Sequence, residues 1–585
     1  MATLDAHSSD VTQRDIQKLA PIVGLSLVAI LYLSFRDARV ILVSVVNLAF
    51  AFVWTAGLMG FLGIPFNGLN LTIIPLILGV GIDYGIQMVS EYLDHKAQGK
   101  SDTEAFADAG ELSGMAMLLA TLTTVGGLIL MVLSPSILMG QLSVVANIAL
   151  TVCFLFALTM VPALLVLTTR GLARKPEKGS PGMLAIGRYL GRRRAATAVV
   201  LAVLTVASLL AVNSLKVEAF GNPELNYPPG DRVRDDAARV DEQFFGGSAD
   251  TVSNYLIVEG DLTKPAAHKF IDRLEANLHA DPDLHGFNTA SVTRIVRAWL
   301  AINQGTPDAL VNQFVLGNVP LAQAHDLEYP TTPEGIKAVF DQVFASPFAN
   351  FMTVLLNPVR YDMGMVPFDT HQGLTYEESA RVFAATNRVI EQTVAETGYH
   401  GLKVHLFGNN AVSALFIDKE LPWVQTVGTA SLILVAAMIF VLTRSWRATA
   451  AITAVMVLSS LWWLGLLPSL GIGLSVGLML PLVFISAIGS DNALHLIWNL
   501  EHVEDQERVY RHVGKAVTIA IATDVIAFVV FCFQTDLLVR KTMIATVASV
   551  STLWLATVLV VPLFYPPQRR VASAASKVRT GTQNP

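Results

Sequence analysis

Asp83, Asp491 and Asp524 are carboxyl side chains set inside long apolar runs: LGVGIDYGIQ (78–87), ISAIGSDNALHL (485–496) and IATDVIAF (521–528). An ionisable group at the centre of a bilayer costs about 2.5–3.5 kcal/mol on insertion scales, so each needs a reason to be there. The chemistry such groups support is proton exchange. A carboxylate taken out of water loses the solvation of its charge and can then take up and release a proton within a working pH range. Moving one charge through the membrane potential is worth roughly 2.3 kcal/mol per 100 mV, so a few protons suffice to drive a pump. Helical spacing extends the polar line. Asp83, Gln87, Glu91 and Asp94 fall about one turn apart on one face, and so do Asp491, His495, Asn499 and His502. His495 and Asp524 are read with Asp83 and Asp491 as candidate proton carriers; the other reading of each is a polar group that bridges helices. Glu91, Asp94, Asn499 and His502 are expected to reach the cytoplasmic interface without a special role. Thr121, Thr123 and Thr124 on one neighbouring span, and Thr518 and Thr523 on another, offer hydroxyls. Gly79, Gly81 and Gly85 around Asp83 would let another helix approach closely.

The elements that must hold these groups are membrane spans. The chain has 585 residues, 53% hydrophobic and only 15% charged, against about 25% charged in soluble globular proteins. A span needs about 20 mostly apolar residues. The sequence predicts about eleven, at 17–35, 39–63, 69–91, 112–133, 142–168, 194–214, 422–443, 447–470, 474–498, 514–534 and 541–565. Residues 1–15 are polar and mixed in charge and do not read as a cleavable signal peptide. Basic residues collect in alternate loops: Arg36 and Arg39; Lys96 and Lys100; the segment 170–194; Arg444 and Arg447; Arg508, Arg511 and Lys515; and Arg569 and Arg570. Cytoplasmic loops carry that excess. The expected location is therefore the inner (cytoplasmic) membrane, with the N-terminus and residues 215–420 outside and the C-terminus in the cytoplasm.

The two halves resemble one another. Arg36 and Arg39 recur as Arg444 and Arg447, Trp54 as Trp462, Gly63-Ile64 as Gly471-Ile472, and Asp83 as Asp491, each 408 residues on; Val161-Pro162 recurs as Val561-Pro562, 400 residues on. Duplicated bundles are typical of transporters whose halves rock around a shared site. The repeat reads as incomplete. A helix at 194–214 and an outside domain precede the second five-helix set, and the first set has no such partner; the expectation is a truncated chain or a separate polypeptide that supplies that part. The expected organisation is a polar N-terminal segment (1–16), a first five-helix bundle (17–170), a basic cytoplasmic linker (171–193), a helix (194–214), an extracytoplasmic domain (215–420), a second five-helix bundle (421–566) and a cytoplasmic tail (567–585).

Between the bundles the composition turns mixed and polar. Strands are expected at 254–260, 351–358 and 402–408. Helices are expected at 265–279 and at 375–398, the latter opened by a capping box of Thr375 and Glu378. The β-α-β order suggests a split βαβ, ferredoxin-like α+β unit. No catalytic constellation stands out there, that stretch holds no G-x-S-x-G, and no P-loop occurs. His268, His279 and His285 lack a ligand pattern and are expected at the surface. Cys153 and Cys532 lie in apolar runs and read as core residues, not as a disulfide or a metal site. A formal net charge of −6 gives no nucleic-acid signal. No cofactor, metal or catalytic residue is expected.

FRDAR at 35–39, WTAGLMGFLGIPFN at 54–67, GVGIDYGIQ at 79–87 and YPPGDRVRDDAARVDEQFFGG at 227–247 together resemble the RND (resistance–nodulation–division) superfamily, in its MMPL-type, sterol-sensing-like branch. The resemblance implies a proton-motive-force-driven exporter of lipids or other hydrophobic molecules, with porter domains outside the membrane and an Asp-Tyr relay on each of two central helices. That relay maps to Asp83 and Tyr84 in full. In the second half it maps to Asp491 alone, because Asn492 stands in the Tyr position, and His495 could compensate. Thr121, Thr124, Asn492 and Thr523 are the expected supporting polar groups. One rival reading is a non-pumping lipid sensor, or a subunit that needs a partner. Another is an intramembrane aspartyl protease, which the residues before the two aspartates, Ile82 and Ser490, do not favour.

Overall fold

The computed structural model describes residues 2–35, 37–64, 73–134, 137–169, 181–217, 252–303, 329–371, 375–415, 418–419, 421–475, 478, 481, 485 and 489–567. The chain divides into two compact units, Met1–Lys216 with Glu420–Pro585, and Val217–Lys419.

The first unit is helical. Its elements are α1 (Ala2–Phe35), α2 (Ala38–Phe61), α3 (Ile73–Ala97), α4 (Asp102–Leu133, with a π turn at Gly110–Gly114), α5 (Ile137–Thr169), α6 (Pro181–Arg192) and α7 (Arg194–Val212). After the second unit's insertion come helices Leu421–Thr443, Trp446–Leu466, Gly489–His502, Gln506–Phe531 and Leu537–Phe564. In chain order these five are α14 to α18, because the second unit holds α8 to α13. Among the described residues, eight helices are long and apolar enough to cross a membrane: α2, α4, α5, α7, α14, α15, α17 and α18. Helices α1, α3 and α16 stand where the other three spans were expected, and part of the span expected at 474–498 lies outside the described residues.

The repeat is built into backbone detail. Asp37 caps α2 and Ser445 caps α15, each side chain accepting a backbone N–H of the first turn. Gly63 and Gly471 follow the same two helices, both with φ +67°, the left-handed conformation that lets the next residues bond back to the last turn. Arg39 donates to the carbonyl of Thr168 at the end of α5 (3.2 Å), and Arg447 donates to that of Phe564 at the end of α18. The proline inside α5, Pro162, recurs as Pro562 inside α18. Packing follows the same two-fold logic. Helix α3 lies against α17, and α16 lies against α4; α1 lies against α17, and α14 against α4. Each half thus hands its central helix to the other. Gly81 sets how deeply α3 seats, because a Cβ there would lie 3.0 Å from Cys153 Sγ and 3.1 Å from Leu48 Cδ1. Gly85 has nothing within 4 Å of that position, so the close approach expected of all these glycines is realised at Gly81 and not at Gly85; the surroundings of Gly79 lie outside the described residues. Overpacking typically costs about 1–3 kcal/mol. Gly81→Leu is therefore expected to lower the melting temperature of the detergent-solubilised protein by several degrees, while Gly85→Ala leaves it unchanged.

The second unit carries a three-stranded sheet, β1 (Val252–Glu259), β2 (Met363–Thr370) and β3 (Lys403–Phe407), in the order β2-β1-β3 with both pairings antiparallel. Its helices are α8 (Pro265–Ala280), α9 (Val292–Asn303), α10 (Pro333–Phe344), α11 (Ala349–Leu355), α12 (Tyr376–Thr397) and α13 (Asn409–Leu415). Since β2 and β3 both run opposite to β1, β2-α12-β3 is a split βαβ crossover with β1 between its strands. Leu256, Val258, Val366 and Phe368 face α8 and α12 in one core. The capping box of α12 is present, with Thr375 and Glu378 bonding each other's backbone N–H. The strand expected at 351–358 is overturned: most of that run is helix α11, and the strand follows at 363–370. A short apolar run carries no periodicity that separates the two states.

The surface position expected for His268 is also overturned. It is buried, with Nε2 at 2.7 Å from the Leu262 carbonyl and Nδ1 bonded to the Tyr329 hydroxyl, while Phe340 packs on the ring. Burial first, and the nearby Arg297 charge, hold its pKa down at about 4, below its ordinary 6.5. Between pH 6.5 and 4 the unfolded chain binds the proton and the folded chain does not. Stability is therefore full above pH 6.5 and falls as the pH drops toward 4, by on the order of 3 kcal/mol from this group. Hydrogen exchange of the β1 and α8 amides in the full chain is expected to speed up over that window, and the dependence should vanish in His268→Gln.

Candidate functional site

Every residue expected to carry protons lies in the helical unit. Asp83 and Tyr84 sit on α3 in a continuously buried stretch, 81–89. Asp491, Asn492 and His495 open α16, and Thr523 and Asp524 lie midway along α17. Thr121 and Thr124 lie on α4. All are buried.

Two cross-half contacts build the centre. Thr124 Oγ1 donates to Asp491 Oδ1 at 2.7 Å, joining α4 to α16, and Thr523 Oγ1 donates to Asp83 Oδ1 at 3.3 Å, joining α17 to α3. The Tyr84 hydroxyl adds to the first contact, accepting from Thr121 Oγ1 at 2.9 Å and bonding Asp491. Asp524 and Asp491 lie within electrostatic reach of Asp83, and Asp491 within reach of Asp524. Three carboxyl groups therefore gather from both halves. The 400-residue offset explains how. Thr123-Thr124 of α4 matches Thr523-Asp524 of α17, so Asp524 faces Asp83 from the position that Thr124 holds beside Asp491. Asn492 is buried next to Asp491 but makes no hydrogen bond to the three aspartates. Among the described residues no group of three or more His, Cys, Asp or Glu is placed to hold a metal ion.

Two buried polar atoms of this site, Asp524 Oδ1 and His495 Nδ1, have no hydrogen-bond partner among the described residues. Such atoms are rare and ask for a reason. His495, one turn along α16 from Asp491, reaches a cleft of ≈ 40 Å³ lined by Gln87, Glu91, Asp94, His495, His512 and Lys515 among others. That is room for a few waters, since one needs about 10–15 Å³ by this measure. Glu91 lies within electrostatic reach of His495 and 3.4 Å from His95, and Asp94 pairs with Arg508 at the rim. Glu91 and Asp94, expected at the cytoplasmic interface, line this cleft. The four-residue spacing from Asp83 through Gln87 to Glu91 was the signal for it. The arrangement can pass a proton along hydroxyl and carboxyl groups, with a wet approach at one end.

The fold and site define a multi-pass membrane protein with a duplicated helical bundle and a carboxyl cluster between its halves. Residues 2–202 match the family model described as MMPL family. A membrane protein of Methanocaldococcus jannaschii is 33% identical over 162 residues, 28% of this chain and 42% of that protein. The hopanoid transporter HpnN of Burkholderia multivorans is 28% identical over 167 residues, 28% of this chain and 19% of the relative. A Mycobacterium bovis protein named as the transport protein MmpL8 is 25% identical over 162 residues, 27% of this chain and 15% of the relative. In each case the chain spans less than half the length of the relative it matches. The resemblance to the MMPL branch of the RND superfamily is borne out, on a match that covers residues 2–202.

If the cleft holds water, a charged thiol reagent should reach Glu91→Cys but not Asp83→Cys. In a background of Cys153→Ala and Cys532→Ala, the expected labelling rates differ by roughly tenfold or more, which corresponds to about 1.4 kcal/mol. Equal rates would place both residues in one environment.

Proposed function

We propose that this chain is a proton-motive-force-driven exporter of the RND type that moves lipids or other hydrophobic molecules. The observation that carries the reading is the meeting of Asp83, Asp491 and Asp524 from both halves of a duplicated bundle, joined through Tyr84, Thr124 and Thr523. Two halves that share buried ionisable groups can couple proton uptake to a relative movement, because the charge state of the cluster changes what each half gains by staying together. Asp83, Asp491 and Asp524 carry the proton, Tyr84 and the threonines hand it across, and His495 connects the cluster to the cleft at Glu91. The cleft lies toward Lys96, Lys100, Arg508 and Lys515, the basic loops that the positive-inside rule assigns to the cytoplasm. Protons would therefore leave through His495. In this reading the chain resides in the inner membrane, and the 217–419 unit is an extracytoplasmic porter domain. The name of one relative, a hopanoid transporter, supports a hydrophobic substrate, and that of another, a transport protein, supports transport.

Asp83→Asn is expected to abolish proton-coupled flux without impairing folding or membrane insertion. The measurement uses purified chain in liposomes that hold a pH-sensitive dye, with an imposed pH gradient and a mixed lipid extract. Removing a transfer step that other groups cannot replace should reduce flux by about a hundredfold or more, the low end of the 10²–10⁴ that positioned acid–base groups supply. Unchanged flux in a variant that elutes and melts like the parent would sink the relay.

A further inference from the structure

The stretch between α5 and α7 carries more positive charge than a membrane turn needs. Residues 170–194 hold eight Lys and Arg against one acidic residue, Glu177, whereas 503–515 sets three basic residues against three acidic ones. The basic bias that orients a span is met elsewhere in this chain by two arginines, as at Arg36 and Arg39. Within the stretch, α6 has 12 residues. That is about 18 Å of helix, too short to cross a bilayer. It follows the end of one span, α5, and precedes the start of another, α7, so it lies along one membrane face.

One side of α6 is docked and the other is open. Met183, Leu184 and Gly187 are buried where α6 packs on α17 and α18. A Cβ on Gly187 would lie 3.0 Å from the Tyr510 ring, and one on Gly191 would lie 3.1 Å from Pro566. Arg188 pairs with Glu507 at 2.5 Å. The open side presents Ile186 and Tyr189, 39% and 58% exposed, and the chain then continues into Arg192, Arg193 and Arg194, all exposed. Arg193 lies over the Tyr189 ring at 5.0 Å, and Arg194 donates to the carbonyl of Gly191. None of these three arginines meets a carboxylate among the described residues. Met183, Ile186, Trp554 and Val558 border a shallow apolar groove, and the Trp554 indole N–H has no hydrogen-bond partner among the described residues.

Exposed apolar side chains beside unanswered arginines, at a membrane face, call for a ligand that is apolar at one end and negative at the other. Free phosphate has no apolar part, and a phosphatidylcholine headgroup offsets its phosphate with a cation of its own. We infer that α6 is the seat of an anionic phospholipid from the adjoining leaflet, held as a fixed partner and not as cargo. Arg192, Arg193 and Arg194 take the phosphate, and the acyl chains lie along Ile186 and the groove at Trp554. Amphipathic helices that set Lys or Arg beside apolar groups bind anionic lipid through these two forces together. Because the glycine contacts and the Arg188–Glu507 pair hold α6 against α17 and α18, the arginines are presented in one place and not as a loose charged loop. This seat stands whether or not the carboxyl cluster carries protons.

The test measures which lipid lies against α6. The full chain with Cys153→Ala, Cys532→Ala and Ala185→Cys carries a bimane fluorophore at the exposed position 185 and is placed in phosphatidylcholine nanodiscs. Phosphatidylglycerol or phosphatidylcholine, brominated in its acyl chains, is included at the same low mole fraction. Quenching by the anionic lipid is expected to exceed quenching by the neutral one by about threefold or more, given that one arginine near an anionic surface is worth about fivefold, or 1 kcal/mol. The triple change Arg192→Gln, Arg193→Gln and Arg194→Gln should bring the ratio close to one. The control is bimane at Trp446→Cys, 73% exposed between Arg444 and Arg447, where the ratio should be clearly smaller. Equal ratios at the two positions would make the enrichment a property of the whole membrane face, and the inference falls. A ratio of one at position 185 overturns it too. Quenching there by neither lipid would mean that protein covers α6, and would overturn it as well.

Discussion

The cost of a carboxyl group in a dry interior governs this structure. Asp83, Asp491 and Asp524 are each more than nine-tenths buried, in a place where neither lipid nor bulk water can solvate a charge. Asp83 and Asp491 reach hydroxyl groups, and those hydroxyls stand on helices of the other half. Thr124 of α4 serves Asp491 of α16, and Thr523 of α17 faces Asp83 of α3. Satisfying the aspartates therefore ties the two halves together at the level where they cross. Any movement of one half against the other has to break or remake those bonds. That is the physical link between the charge state of the cluster and the relative position of the halves.

The positions of these groups follow from the duplication. Caps at Asp37 and Ser445 start α2 and α15 in register, left-handed glycines at 63 and 471 end them alike, and the chain then enters α3 and α16 at matching depth. Asp83 and Asp491 come to the same level because their helices are launched in the same way. Gly81 then lets α3 sink against Cys153 of α5 and Leu48 of α2, which aims Asp83 toward α17 and away from its own half.

Much of this could be read in the sequence because the bilayer permits few solutions. Eight apolar spans, the repeat and the buried aspartates are legible where every backbone group must be satisfied within its own helix. The capping box at Thr375 is legible because it is local chemistry. What escaped is tertiary. Residues 351–358 are apolar without period, and only the pairing of 363–370 with β1 decides which run is strand. His268 is an ordinary helix-face histidine in sequence, and its burial depends on Tyr329, sixty-one residues away. Glu91 and Asp94 were visible as a polar line, but the cleft they share with His495 exists only where α3, α16 and α17 meet.

The two halves are not equivalent, and the departures are paired. Tyr84 of the first half is Asn492 in the second, and Thr124 of the first is Asp524 in the second. One exchange removes an acidic hydroxyl from the side of α16, and the other adds a carboxyl group to the side of α17. Asp83 consequently faces another carboxyl group, whereas Asp491 faces a threonine and a tyrosine. Two carboxyl groups in one dry site cannot both hold a charge cheaply. Asp491, within electrostatic reach of both Asp83 and Asp524, stands one turn from His495 and the cleft. A symmetric cluster would have no reason to pass a proton one way. In the proposed relay the wet approach stands on the Asp491 side, and that asymmetry is what a directional relay requires.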